Sequence, residues 1–119
     1  MHRGLKIYSL RPKTLVIKSG AIIHPNVHLD NRGGLTIEED VAISSFAKVY
    51  SYQHDHQKRN RPTVGRKTIL KKGCFIYSNV VVLPGSTIEV GTVVGAGSVI
   101  RGNTAVSYTH LTLPTMMSV

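Results

Sequence analysis

A chain of 119 residues, 41% hydrophobic and lacking tryptophan, supports one domain but is near the size at which a single core is hard to fill. Its one cysteine, Cys74, excludes an intrachain disulfide and a cysteine-built zinc site; no run approaches the ~20 apolar residues of a membrane span, so none is expected. The net charge of +9 calls for an anionic partner, yet no basic stretch is interleaved with aromatics, so nucleic acid is not expected.

The opening Met-His-Arg-Gly-Leu-Lys lacks the apolar core of a signal peptide, which makes the cytoplasm the expected compartment. Residues 1–14 form a poorly defined N-terminal segment. From residue 15 large aliphatics recur every six residues: Ile17, Ile23 and Leu29, then Ile37, Ile43 and Val49 after a two-residue slip through Asn31, Arg32, Gly33 and Gly34. The period resumes at Val64 and runs through Leu70, Ile76, Val82, Ile88, Val94 and Ile100. Four residues after each of these stands Thr68, Cys74, Val80, Ser86, Thr92, Ser98 or Thr104. Cys74 therefore reads as core, with a reactive thiol as the alternative.

A period of six fits neither an α-helix nor one long alternating strand; it fits short strands that turn a corner every six residues. Glycines at 65, 73, 85, 91 and 97 and Pro84 fall between the aliphatic positions, where a corner needs unusual backbone angles. Three strands make one 18-residue turn of a triangular parallel β-helix, and stacked turns bury a column that no turn could bury alone. The register predicts that Val64, Val82 and Ile100 stack on one face, Leu70 with Ile88 on the second, and Ile76 with Val94 on the third.

From Val49 to Val64 is 15 residues, not a multiple of six, so residues of about 50–63 must leave the coil and return. This extruded loop is polar and basic, and an excursion from a uniform solenoid is a preferred place for function. Beyond residue 104 the period fails. The run Val106-Ser-Tyr-Thr-His-Leu-Thr-Leu-Pro-Thr reads as translated sequencing adapter, so residues 105–119 are expected to be a non-native tail on a truncated 15–104 domain.

Three features carry a family resemblance: the repeats, the loop opening His54-Asp55-His56, and Asn79-Val-Val-Val-Leu-Pro-Gly85 followed by Val94-Gly-Ala-Gly-Ser98. With them residues 15–104 resemble the hexapeptide-repeat acyltransferases, in the branch of galactoside, maltose and nodulation-type O-acetyltransferases. The resemblance implies a left-handed coil, a homotrimer with active sites between subunits, and acetyl-CoA as co-substrate, with no metal. It also implies a catalytic histidine five residues after the last aliphatic before the loop, which is His54, with His56 as the alternate. Acetyl-CoA would touch Ser78 and Ala96, which lie 18 residues apart on the same edge of successive turns.

Transfer of acetyl from a thioester to a hydroxyl needs a base, and neutral imidazole suits that near pH 7. The expected acceptor is a sugar or polysaccharide precursor. Asp30 and Asn31, on a corner one turn before the loop, are candidate acceptor contacts or simply turn formers, and Tyr52 either lines the acceptor pocket or packs the loop base. Asp55 either orients a histidine or solvates the loop. Lys71 and Lys72 are candidates for the CoA phosphates. Two other readings stand beside this one: a zinc lyase resembling the gamma-class carbonic anhydrases, drawing on His24, His28, His54 and His56, and a catalytically inert trimer.

Overall fold

Valine, isoleucine and threonine at alternating inward and outward places make two- and three-residue strands, and the corner residues between them turn those strands into a coil. The computed structural model describes residues 4–8, 14–55, 57–60, 62–104 and 117–118. Strand β1 (Lys6–Tyr8) precedes a turn of β2 (Leu15–Ile17), β3 (Ile22–Ile23) and β4 (His28–Asp30). The next turn is β5 (Leu35–Ile37), β6 (Ala42–Ile43) and β7 (Lys48–Val49), after which β8 (Tyr52–His54) and β9 (Thr63–Gly65) leave the coil. Two further turns follow, β10 (Thr68–Leu70), β11 (Phe75–Ile76) and β12 (Val81–Val82), then β13 (Thr87–Ile88), β14 (Val93–Val94) and β15 (Val99–Arg101). Strand β16 (Asn103–Thr104) opens a fifth turn, and β17 (Met117–Ser118) lies parallel to β15.

All coil pairings are parallel, and they form three sheets: β1-β4-β7-β12-β15-β17, β2-β5-β10-β13-β16 and β3-β6-β11-β14. These are called here the first, second and third faces. Inside, the aliphatic columns are in register: Ile17 on Ile37 on Leu70 on Ile88, Ile23 on Ile43 on Ile76 on Val94, and Leu29 on Val49 on Val82 on Ile100. The small-residue column from Thr68 to Thr104 is buried throughout. Cys74 belongs to it, and burial pushes its thiol pKa up to about 12, so the thiol is core and not a nucleophile.

One expected position is corrected. Val64 does not stack on Val82; Val49 holds that place, and Val64 pairs with Gln53 in the antiparallel hairpin β8–β9. Ile37 therefore pairs with Leu70, a normal turn lengthened by the 15 residues of the excursion. The extruded segment is also displaced from the expected 50–63: its strands are Tyr52–His54 and Thr63–Gly65, and the coil resumes at Thr68. The physical reason is that a hairpin needs a return strand as long as its outgoing one, and that strand uses Thr63, Val64 and Gly65.

The three corner edges follow from the same order. Lys18–Gly20, Glu38–Asp40, Lys71–Gly73 and Glu89–Gly91 stack between the second and third faces, linked by backbone bonds such as Gly73 N–H to the Glu39 carbonyl, 2.9 Å. Between the third and first faces stack Asn26, Phe46, Asn79 and Gly97, all at positive φ. The hairpin emerges from the remaining edge, between the first and second faces. Among the described residues no helix is long and apolar enough to cross a membrane.

Candidate active site

The hairpin is fastened to the coil by a short polar cluster at its base. Ser51, fully buried, donates its hydroxyl to the Asp30 carbonyl at 2.5 Å and accepts the Gly33 N–H at 2.9 Å. The Ser51 carbonyl accepts the Arg66 N–H at 2.7 Å, closing the other side of the excursion. Where the chain rejoins the coil, Thr68 donates to the Tyr50 carbonyl at 2.6 Å and accepts from Gly85 N–H at 3.1 Å. Gly33 and Gly65 meet backbone to backbone: a Cβ on Gly33 would lie 1.9 Å from the Ser51 carbonyl oxygen and 2.7 Å from Gly65 Cα. The two-residue slip at Asn31 to Gly34 thus makes the seat on which the hairpin base rests.

Asp30 and Asn31 are both fully buried beneath this seat. The Asp30 carboxylate grips Arg32 through two bonds, Nε to Oδ1 at 2.9 Å and Nη2 to Oδ2 at 2.8 Å, and also accepts the Arg32 N–H at 3.0 Å. Such a forked pair fixes the guanidinium plane. That plane lies 4.7 Å from the Tyr52 ring centroid, and the Tyr52 hydroxyl shares a 2.9 Å hydrogen bond with Thr63 Oγ1 on the opposite strand. Asn31 donates Nδ2 to Thr14 Oγ1 at 3.1 Å and accepts the Thr14 hydroxyl on its carbonyl. Asp30 therefore acts on the hairpin through Arg32, a residue that sequence reasoning missed.

His54 closes β8, opposite Thr63, with its side chain exposed. The next residue holds the ladder one step further, Asp55 N–H donating to the Pro62 carbonyl at 2.7 Å. Asp55 then turns the chain: its Oδ1 accepts the Gln57 N–H at 3.0 Å and its carbonyl the Lys58 N–H at 3.3 Å. The Asp55 side chain is thus engaged in forming the loop. His56, the alternate base, lies outside the described residues.

The predicted cofactor contacts occupy other edges. Ser78 and Ala96 stand on successive turns of the edge between the third and first faces, where Gly97 N–H donates to the Ser78 carbonyl at 3.0 Å. Lys71 and Lys72 stand on the edge between the second and third faces; Lys71 ion-pairs with Glu89 at 3.1 Å, and Lys72 N–H donates to Glu38 Oε1 at 3.0 Å. Within one chain His54, the Ser78 and Ala96 pair, and the two lysines thus lie on three different edges of the prism. Among the described residues no three histidine, cysteine or acidic side chains converge to hold a metal.

No protein-family model matches the chain. It is 31% identical over 105 residues to WcaF of Escherichia coli (strain K12), named as a colanic acid biosynthesis acetyltransferase, covering 80% of this chain and 58% of that protein. It is 25% identical over 112 residues to WbbJ of the same organism, named as a lipopolysaccharide biosynthesis O-acetyltransferase, covering 84% and 57%. The chain thus spans a little under three fifths of the length of the curated relatives it matches. In three dimensions it superposes with a TM-score of 0.71 and 25% identity on the hexapeptide-repeat-containing acetyltransferase VCA0836 of Vibrio cholerae, solved in complex with acetyl coenzyme A, covering 87% of this chain and 60% of that one. By repeat, by fold and by likeness to these proteins, the chain is similar to the coil of the hexapeptide-repeat acetyltransferases.

Proposed function

We propose that the chain is the coil and hairpin of an acetyl-CoA-dependent O-acetyltransferase that acts on a saccharide hydroxyl, with His54 as general base. The observation that carries this reading is the hairpin itself: the single excursion from the described coil, bolted down at Ser51, Gly33 and Arg32, presents an exposed histidine at the end of a paired strand. A base must sit within hydrogen-bond reach of the attacking oxygen, and a displacement of ~1 Å costs about 100-fold in rate, so rigid anchorage is what this chemistry needs.

In the reaction the imidazole of His54 accepts the hydroxyl proton as the oxygen attacks the thioester carbon. The C–S bond then breaks, and the proton passes to the departing thiolate. Backbone N–H groups suffice to stabilise the negative oxygen of the intermediate. Tyr52 lines the acceptor side, with Asp30 and Asn31 supporting it from below. Acetyl-CoA lies along Ser78 and Ala96, with Lys71 and Lys72 meeting its phosphates.

These groups cannot serve one site within a single chain, because they occupy three edges; a homotrimer with sites between subunits unites them. The third face supports this assembly. Its outward ladder is apolar, Ile22 on Ala42 on Phe75 on Val93, with Ile22 54% exposed and the Tyr77 ring tilted against Phe75 at 4.7 Å between centroids. A left-handed coil and a cytoplasmic setting complete the reading. The test is thiol release from acetyl-CoA with a panel of saccharide acceptors, with sedimentation velocity for the trimer. Acceptor-dependent release supports the proposal; stoichiometric zinc in the purified protein without such release would favour the lyase reading.

A further inference from the structure

The first face carries a second feature that the acetyl-transfer site does not use. In its outward register Lys6 lies beside His28 and His28 beside Lys48, on adjacent strands β1, β4 and β7. Neighbouring strands are ~4.8 Å apart, so this ladder brings three nitrogen-bearing side chains within reach of one small ligand. The ladder borders a groove of about 190 Å³ whose other walls are Gly4, Asn26, Val27 and Phe46.

The electrostatics of the groove are one-sided. Among the described residues neither Lys6 nor Lys48 forms an ion pair, and the nearby Asp30 is gripped by Arg32. The other acids with described positions stand elsewhere: Glu38, Glu39, Asp40 and Glu89 on the edge between the second and third faces, Asp55 on the hairpin. His28 leans against Tyr50, ring centroids 5.6 Å apart, and its pKa is held below the usual value by burial first and Lys48 next, with Asp30 opposing and Lys6 and Arg32 adding. A bound anion would relieve that crowding of positive charge.

Phe46 gives the groove a second character. It occupies the corner column of Asn26, Asn79 and Gly97 at φ 65°, a conformation those residue types tolerate and a bulky aromatic does not. It is also 54% exposed in the single chain. Strain retained at an exposed position points to a role in binding. An exposed aromatic face beside cations suits a sugar ring that bears a negative charge. The size of the groove limits the ligand, since pockets that enclose drug-sized molecules run to roughly 300–1,000 Å³; a single ring fits where coenzyme A does not.

We propose that Lys6, His28, Lys48 and Phe46 form a binding site for an anionic saccharide, one sugar ring on Phe46 with its phosphate or carboxylate held by the two lysines. The saccharide half rests on the proposed function; the anion half stands on the groove alone.

Calorimetric titration of the full chain with glucose 1-phosphate, glucuronate, glucose and inorganic phosphate tests this without any acetyl transfer, so its failure is separate from failure of the acetyltransferase reading. At least one charged sugar should bind about tenfold or more tighter than glucose and than inorganic phosphate, and the arm that binds identifies the anion as phosphate or carboxylate. Lys6→Ala with Lys48→Ala should weaken that binding about tenfold or more, while Lys18→Ala, which removes an exposed charge on another edge, should not. Phe46→Gly should weaken binding while leaving the melting temperature equal or higher, because glycine relieves the corner. Equal affinity for glucose or inorganic phosphate, unchanged binding in the double lysine variant, or a Phe46→Gly protein that binds as before would overturn the proposal.

Discussion

Replacing Gly33 by alanine isolates the contact that seats the hairpin. The new Cβ would lie 1.9 Å from the Ser51 carbonyl oxygen, 2.6 Å from Arg66 N and 2.7 Å from Gly65 Cα, all backbone atoms that cannot rotate away. Relief requires the hairpin base to lift, which stretches the 2.7 Å Arg66 to Ser51 bond and the 2.9 Å Gly33 to Ser51 bond. Overpacking of this kind costs about 1–3 kcal/mol and each of the two weakened hydrogen bonds about 1 more, so a loss of roughly 3–5 kcal/mol is expected. Thermal denaturation followed by circular dichroism should show a fall on the order of 10 °C. Gly97→Ala is the matched control: at φ 77° with nothing within 4 Å of its Cβ, it suffers only backbone strain, about 1–2 kcal/mol. If Gly33→Ala melted with the wild type, or higher than Gly97→Ala, the tight seat would be refuted.

Arg32→Ala should lower kcat for acetyl transfer several-fold or more, with acetyl-CoA affinity unchanged, because it frees Tyr52 and the strand that carries His54; Arg32→Lys should not restore the rate, since lysine cannot make the forked pair with Asp30. The His28 pKa is lowered in the fold, so the unfolded chain binds the extra proton first. Its contribution is complete above the unfolded value of 6.5 and is lost as pH falls through the lower folded value. Melting temperature should therefore decline as pH falls from neutral through 6.5, and His28→Asn should flatten that decline. If residues 106–119 are foreign to the coil, their deletion should leave its melting temperature unchanged within error; a marked drop would show that β17, which pairs with β15, is structural.

The coil was legible because its signal is collective: each buried column is one residue type repeated at a fixed spacing, and the slip at residues 31–34 appears in the register as Ile17 pairing with Ile37. Val64 shows where that logic fails. It satisfies the six-residue count by lying on the hairpin's return strand, and only pairing shows that Val49 already fills the place beneath Val82. The family resemblance points to His54 through its offset from Val49, and the structure puts that residue on a paired strand. Arg32, Ser51 and the Gly33 to Gly65 contact escape a reading of the aliphatic repeat because they are polar or glycine residues at the slip and the hairpin base, outside the aliphatic columns, and their partners are set by how the excursion folds back. The one cue was the slip itself, which left two glycines where no corner of a regular turn requires them.

The most direct test of the central claim is His54→Ala in the acetyl-CoA thiol-release assay, with acetyl-CoA binding measured on the same preparation. A general base on an anchored hairpin predicts a loss of kcat of about 100-fold or more with little change in acetyl-CoA affinity, and a much smaller loss for His56→Ala. Retention of the wild-type rate by His54→Ala, or a larger loss from His56→Ala, would contradict it.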